Sequence, residues 1–264
     1  CALQIASYVR HEYAFNTHLD RDGRVYRLVH LRPRGPDGDP YWTVFHNTTL
    51  ISQVRREVPG LESAFKMFAR AMWVQHGDQS RQGMTCFADT AFIDHLSYAA
   101  VEGDPREILR RPGSAMVTVS FARSLFGNAD PIGQTVSVDY KWGVKGEWVI
   151  QGLLQDNPET TSKQLAVDFI TISRPSSMDE LWTEPWFPTT WSWVVLQGGV
   201  KPEDLYPTLD VIAEGYVDEG EKGLPTQLRL QPFNQIYLRS ETDYGVRARQ
   251  GIYGDINDLR LFVS

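Results

Sequence analysis

Cysteine is scarce in this chain, which has only Cys1 and Cys86 among its 264 residues. Two cysteines cannot build a disulfide framework, and there is no Cys-x-x-Cys pair of the kind found in zinc and redox sites. Apolar runs are short as well, because no stretch approaches the roughly 18 consecutive apolar residues that indicate a membrane-spanning helix. Basic residues are not in excess, since the net charge is −7. We therefore expect no nucleic-acid binding.

Motifs of the common catalytic and metal sites are also missing. The 6 histidines include no His-Glu-x-x-His motif and no pair four residues apart, so a helical zinc site has no support. There is no Gly-x-Ser-x-Gly nucleophile elbow. The glycines of residues 127–133 are not followed by the Lys-Ser/Thr of a phosphate-binding loop. These absences predict a protein that is not an enzyme and has no catalytic residues, cofactor or metal ligands.

The patterns that are present predict a mixed α/β fold with two kinds of organisation. Strand–helix alternation occupies residues 1–104 and 190–264, whereas residues 105–189 are rich in strands and poor in helices. The predicted helices cover residues 3–16, 48–58, 121–126 and 201–216, with Asn47 or Thr48 capping the second and Ser120 capping the third. The predicted strands include residues 24–32, 114–119, 134–140, 147–154 and 191–197. Residues 75–84 are polar and contain glycine, which favours a turn.

Both ends of the sequence are apolar. The first residues, CALQIASYV, lead directly into a charged segment, and residues 259–263 turn apolar again. We expect the chain to continue on both sides into apolar segments of about 20 residues, the length that spans a bilayer.

Three segments carry one further pattern, in a consistent order and spacing. Residues 7–29 contain YVR-x-E-x-x-FN followed by RVYR. Residues 102–138 contain GDP near their start and LFG-x-x-DPIGQ further on, and residues 228–240 read LRLQPFNQIYLRS. Together these segments resemble the extracytoplasmic domain of FtsX-like ABC transporter permeases, the MacB-like periplasmic core domain. The middle segment is the most specific of the three.

The resemblance implies a fold and a function. In such domains both ends of the chain form an α/β subdomain with βαβ units, the porter, and a smaller β-rich subdomain, the sabre, is inserted into it. Here these correspond to residues 1–104 with 190–264, and to residues 105–189. The implied function is the extracytoplasmic, periplasmic domain of an inner-membrane permease, which couples cytoplasmic ATP hydrolysis to work outside the membrane by mechanotransmission. The membrane-proximal segments, residues 8–16 and 252–263, are expected to lie side by side.

The resemblance also implies partners: a cytoplasmic ABC ATPase, a second permease copy, and a periplasmic or extracellular protein. The alternative from another functional class is an extracellular ligand-sensing or binding domain of a membrane protein, which would need a closed pocket with convergent polar groups.

The stretch LWTEPWFPTTWSW, residues 181–193, matches no part of the resemblance. Pro185 and Pro188 exclude a continuous helix, so its aromatic rings cannot share one helical face. One interpretation is a loop between the subdomains whose rings fill a crevice. The other is that Trp182, Trp186 or Phe187 stays exposed and docks a partner, because tryptophan is enriched at interface hot spots.

Overall fold

The computed structural model of the chain describes residues 2–20, 22–34, 38–140, 144–172, 190–217, 219–246, 254 and 256–257. The chain divides into two compact units. The first combines Cys1–Ala64 with Pro188–Ser264, and the second is Phe65–Phe187.

Helices and strands are mixed in the described residues. The helices are α1 (Ala2–Tyr13), α2 (Thr48–Glu57), α3 (Thr90–His95), α4 (Pro105–Ile108), α5 (Val119–Phe126), α6 (Pro202–Glu214) and α7 (Ile236–Arg239). The strands are β1 (Val25–Arg32), β2 (Tyr41–Thr43), β3 (Leu61–His76), β4 (Gln79–Ala88), β5 (Ala100–Glu102), β6 (Ser114–Thr118), β7 (Thr135–Tyr140), β8 (Val144–Leu154), β9 (Phe169–Thr171), β10 (Trp191–Leu196) and β11 (Gln227–Pro232). None of the described helices combines the length and apolar character that crossing a membrane requires.

The first unit is built on an antiparallel sheet with the strand order β11–β1–β10, and β2 pairs with the end of β1. Helices α2 and α6 supply the apolar side chains that cover one face of this sheet. Asn47 caps α2 by accepting a hydrogen bond from the Leu50 amide at 3.1 Å, and Pro202 opens α6, where a missing N–H costs little. The core between sheet and helices includes Leu28, Leu50, Val54, Val194, Leu209, Ile212 and Leu230.

Side chains of α6 protect the outer edge of β11. The Asp210 carboxylate accepts a hydrogen bond from the Leu228 amide at 3.3 Å and one from the Arg229 guanidinium at 2.6 Å. The same guanidinium lies 4.6 Å from the centre of the Tyr206 ring. An edge strand covered in this way is a poor template for pairing with another chain.

A long hairpin opens the second unit. Strands β3 and β4 pair without interruption from Met67–Ala88 to His76–Gln79, and only Gly77 and Asp78 form the turn. The predicted turn over residues 75–84 is therefore wrong. The polar residues there belong to the strand ends, where the backbone is satisfied by cross-strand pairing while the side chains point to solvent.

Six strands of the second unit close into a ring. Strand β3 pairs with β4, β4 with β9, β9 with β6, β6 with β8, β8 with β7, and β7 with β3 again. A buried apolar cluster packs with these strands and with α5. It includes Phe68, Val74, Phe87, Val117, Phe121, Leu125, Val138, Trp148, Ile150 and Phe169.

Helix α5 carries the most specific of the sequence motifs. Phe121 and Leu125 enter the core of the second unit, and Gly127 ends the helix with φ 65°, a conformation that favours glycine. The prediction that Ser120 caps this helix is wrong, because the N-cap residue is Thr118. The amide of Ser120 instead donates to the Asp156 carboxylate at 2.8 Å.

The porter and sabre boundaries, residues 1–104 with 190–264 and residues 105–189, remain a prediction. The first boundary between the compact units lies elsewhere, because residues 65–104 belong to the second unit. The hairpin β3–β4 accounts for this difference, since both of its strands belong to the six-stranded ring.

Candidate functional site

The first unit brings helices α1 and α7 into direct contact. The Phe15 ring stacks on the Tyr237 ring with centroids 3.5 Å apart and planes 3° from parallel. Val9 of α1 packs, as Tyr237 does, against a buried cluster formed by Leu238 and Ile256. We call these five residues the α1–α7 contact. It joins segments that are more than 200 residues apart in the sequence, so the fold holds them together through side-chain packing.

Tyr237 is the central residue of this contact. Burial first, and then the charge and the hydrogen bond of the adjacent Glu12 carboxylate, raise the pKa of its phenol to about 12. The phenol therefore stays protonated and donates to Glu12. Gly254 approaches the same ring so closely that an added Cβ would lie 2.8 Å from Tyr237 Cε1. The contact thus combines aromatic stacking, a charge-assisted hydrogen bond and a site without room for a side chain.

A buried arginine connects α7 to the sheet. Arg27 of β1 is 1% exposed. Its Nε donates to Gln231 Oε1 at 3.1 Å, and its Nη2 donates to Ser240 Oγ at 2.8 Å. Gln231 Nε2 also donates to Ser240 Oγ, at 3.1 Å. Because Gln231 lies on β11 and Ser240 directly follows α7, one guanidinium ties two strands to this helix.

The Arg27 network is a rigid arrangement. The planar guanidinium holds several N–H donors in a fixed fork, so the acceptors bound to it are held in one fixed arrangement. Losing the fork would remove both Arg27 donors from the buried Gln231 Oε1, at a cost of about 1–3 kcal/mol. Within the described part of the chain, no group of three histidine, cysteine or acidic side chains could hold a metal ion. Cys86 is fully buried and burial raises the pKa of its thiol, so it is a poor nucleophile.

Comparison with known families identifies the domain. The family described as MacB-like periplasmic core domain matches residues 4–206 of this chain. The chain belongs to this family. A comparison of the MacB-like domain with curated proteins gives no match.

Solved structures show the same fold. A domain of a permease protein from Porphyromonas gingivalis has a TM-score of 0.63 at 18% identity, covering 81% of this chain and 92% of that one. The periplasmic region of MacB from Actinobacillus actinomycetemcomitans has a TM-score of 0.52 at 11% identity, with 88% and 95% covered. The extracellular domain of the noncanonical ABC-type transporter YknZ from Gram-positive bacteria has a TM-score of 0.51 at 12% identity, with 77% and 98% covered.

The family and the fold confirm the predicted fold class and location. This MacB-like domain is the extracytoplasmic domain of an ABC transporter permease of the MacB and FtsX type. The family belongs to permeases that work with ATPase subunits.

The aromatic docking residues predicted from the sequence, Trp182, Trp186 and Phe187, lie outside the described residues. Two neighbours in the same stretch are described. Trp191 is 8% exposed and lies beside Phe45, and Trp193 is 2% exposed and lies beside Phe233. Both belong to β10 and help form the first unit.

Sequence reasoning missed the Arg27–Gln231–Ser240 network. Its signal was present, because Arg27 stands in a strand of otherwise mostly apolar residues and a buried charge requires partners. Gln231 and Ser240 both fall in the third motif segment, residues 228–240, where their side chains have no pattern that distinguishes them from surface residues.

Proposed function

We propose that this domain transmits motion from the membrane part of the permease to a substrate or partner outside the membrane, and that it performs no chemistry of its own. The observation that carries the proposal is the α1–α7 contact, in which Phe15 stacks on Tyr237. Two segments at opposite ends of the sequence converge there, and Arg27 connects the second of them to the central sheet.

The physical basis is the stiffness of a close-packed interior. Packed side chains have low compressibility and transmit strain, so a displacement of α1 or α7 moves the residues packed on them. A loose pair of helices would absorb the same displacement locally. The Arg27 fork supports transmission, because β1, β11 and the end of α7 are held by one planar group.

The proposal includes three partners. A cytoplasmic ABC ATPase supplies the energy, a second permease copy completes a dimer, and a periplasmic or extracellular protein receives the motion.

The test uses the full permease with its ATPase in lipid nanodiscs. A spin label at Val211→Cys, an exposed position on α6, reports the distance between the two copies with and without ATP trapped by vanadate. We expect the distance to change on trapping. We expect Tyr237→Ala to reduce this change while ATP hydrolysis continues, because the ATPase still turns over but the α1–α7 contact is weakened.

Tyr41→Ala is the matched control, since Tyr41 is an exposed aromatic residue of the first unit that is not one of the five residues of the α1–α7 contact. It should leave both readouts unchanged. An unchanged distance in the wild-type protein on ATP trapping would overturn mechanotransmission, and the absence of any distance signal would overturn the dimer.

A further inference from the structure

Residues 44–47 connect strand β2 to helix α2 in the first unit, and we call them the His46 segment. Among the described residues, an isolated β-bridge between His46 and Thr190 attaches this segment to the start of β10. The His46 amide donates to Thr190 O at 3.0 Å, the Thr190 amide donates to His46 O at 3.3 Å, and Thr190 Oγ1 donates to His46 O at 3.1 Å. A segment attached through one bridge opens at a lower free energy than the whole unit unfolds.

The His46 segment places an imidazole in the interior next to a second one. The His46 ring is 3% exposed, and neither of its nitrogens has a partner among the described residues. The centroid of the His30 ring, which is equally buried, lies 6.3 Å away. Thr226 Oγ1 donates its proton to Leu31 O at 2.9 Å, so it accepts from His30 Nε2 at 3.0 Å. An added proton on His30 would therefore occupy the other ring nitrogen.

The charges that act on the two rings are positive. Arg32 of β1 acts on both histidines, and Arg27 of the same strand acts on His46. Strand β10 has no titratable residue, and those of the other surrounding elements are Tyr26 of β1, Tyr41 of β2, Arg229 of β11, Arg55, Arg56 and Glu57 of α2, and Glu203, Asp204, Tyr206, Asp210 and Glu214 of α6. No described carboxylate is among the groups that act on either ring.

Protonation of the pair is therefore unfavourable while the segment is closed. Burial, and after it the Arg32 charge, lowers the pKa of His30 to about 4, and burial, followed by the charges of His30, Arg27 and Arg32, lowers the pKa of His46. A buried imidazolium would hold a charge without a compensating partner, whereas an opened segment returns it to water. Because the closed state has the lower pKa, the opened state binds more protons and gains population as the pH falls below about 6.5.

We propose that protonation of His30 and His46 releases the His46 segment from Thr190 while the sheet β11–β1–β10 stays folded. The opening frees the residues that lead into α2 and the residue that leads into β10. It makes the first unit a sensor of acid on the extracytoplasmic side of the membrane. This property does not depend on the transmission of motion, so the two proposals are tested separately.

The test is amide hydrogen exchange of the isotope-labelled 264-residue chain at about pH 7.5 and about pH 5, on either side of the ordinary histidine pKa. Each rate is divided by the intrinsic rate of an unstructured peptide at the same pH. The protection of the His46 and Thr190 amides should fall by about tenfold or more at the lower pH. At that pH it should also be lower than the protection of Leu28 and Val29 in the centre of β1.

Urea at low concentration separates local opening from global unfolding. It should accelerate exchange at Leu28 and Val29, which need a large opening, and leave His46 and Thr190 nearly unchanged, because a local opening exposes little surface. Thr190→Val lacks the hydroxyl that donates to His46 O, so it should reduce the protection of the His46 amide several-fold even at the higher pH.

His46→Gln should keep the Thr190 amide protected at the lower pH, since glutamine does not titrate. His11→Gln is the matched control, because His11 is an exposed histidine of α1, and it should respond to pH as the wild type does. Thermal unfolding at the higher pH shows that each variant is folded. The proposal is overturned if the protection of the wild-type His46 and Thr190 amides is equal at both pH values, if Leu28 shows the same protection and the same urea dependence as they do, or if the loss of protection persists in folded His46→Gln.

Discussion

The imidazole rings of His30 and His46 lie 6.3 Å apart, centroid to centroid, and each residue is 3% exposed. His30 lies on β1 and shares a hydrogen bond of 3.0 Å with Thr226 Oγ1. His46 precedes α2 and exchanges backbone hydrogen bonds with Thr190, while neither of its ring nitrogens has a partner among the described residues. Two buried imidazoles in the same region make the first unit sensitive to acid.

We predict that stability falls as the pH drops below about 6.5. Burial, and secondarily the Arg32 charge, lower the pKa of His30 from 6.5 to about 4. The pKa of His46 is lowered mainly by burial and then by His30, Arg27 and Arg32. Because the folded pKa lies below the unfolded value, the unfolded chain binds more protons between about pH 4 and 6.5. His30 should therefore cost about 1.4 kcal/mol of stability per pH unit within this window. His46 should add to the loss in the same direction.

Urea unfolding at several pH values in this window measures the effect. His30→Gln and His46→Gln should each flatten the pH dependence relative to the wild type, since glutamine does not titrate. Titrating groups other than these two histidines are common to all three proteins and cancel in the difference. Equal slopes for the wild type and both variants would contradict the prediction.

Arg27 lies on β1 and Arg24 directly precedes this strand, so the two arginines can be compared as a buried and a surface residue. Arg27→Lys should destabilise the domain by about 1–3 kcal/mol, because lysine cannot reproduce the fork that satisfies Gln231 and Ser240. Arg24 forms an ion pair with Glu62 at the surface, so Arg24→Lys should destabilise the domain much less than Arg27→Lys does. Equal losses in the two variants would indicate that the buried network adds no stability.

The α1–α7 contact predicts a local effect of removing one ring. Tyr237→Ala should increase hydrogen exchange in α1, because Phe15 loses its stacking partner and Glu12 its donor, while amides of the second unit keep their protection. The aromatic pair alone is worth about 0.5–1.5 kcal/mol beyond the area it buries. Tyr13→Ala, at an exposed position of the same helix, should leave exchange unchanged. Unaltered exchange in Tyr237→Ala would show that the contact does not hold α1.

The two interpretations of the aromatic stretch make opposite predictions. A loop that fills a crevice buries Trp182, Trp186 and Phe187, whereas a docking surface leaves at least one of them exposed. Acrylamide quenching of single-tryptophan variants measures the exposure of the two tryptophans. Changing the exposed residue to alanine should leave the melting temperature nearly unchanged while weakening partner binding. If all three side chains prove buried, the residues fill the interior instead and the docking hypothesis fails.

Local signals in the sequence predicted some elements well. Helices α2 and α6 were predicted to within two residues at each end, because Asn47 caps one, Pro202 opens the other, and both have apolar residues at helical spacing. The part of hairpin β3–β4 next to its turn was not predicted, because the polarity of the residues there depends on which side of each strand faces solvent. That information is in the pairing of strands and not in either strand alone.

The candidate site was predicted only in part. The resemblance implied that the membrane-proximal segments lie side by side. At one point they meet, because Val9 of the first segment packs against the cluster that contains Ile256 of the second. The stacking of Phe15 on Tyr237 and the Arg27 network were not predicted. Each depends on side chains about 200 residues apart in sequence, and local periodicity carries no information on such distances.

The six-stranded ring of the second unit has a mechanical consequence. Every one of its strands is paired on both sides, so no strand can peel away by breaking a single ladder. Under load, an open sheet yields one edge strand at a time, whereas a closed ring must rupture two ladders before any strand is released. The second unit should therefore resist pulling up to a threshold and then give way in one step. A domain that resists load in this way transmits force without deforming gradually.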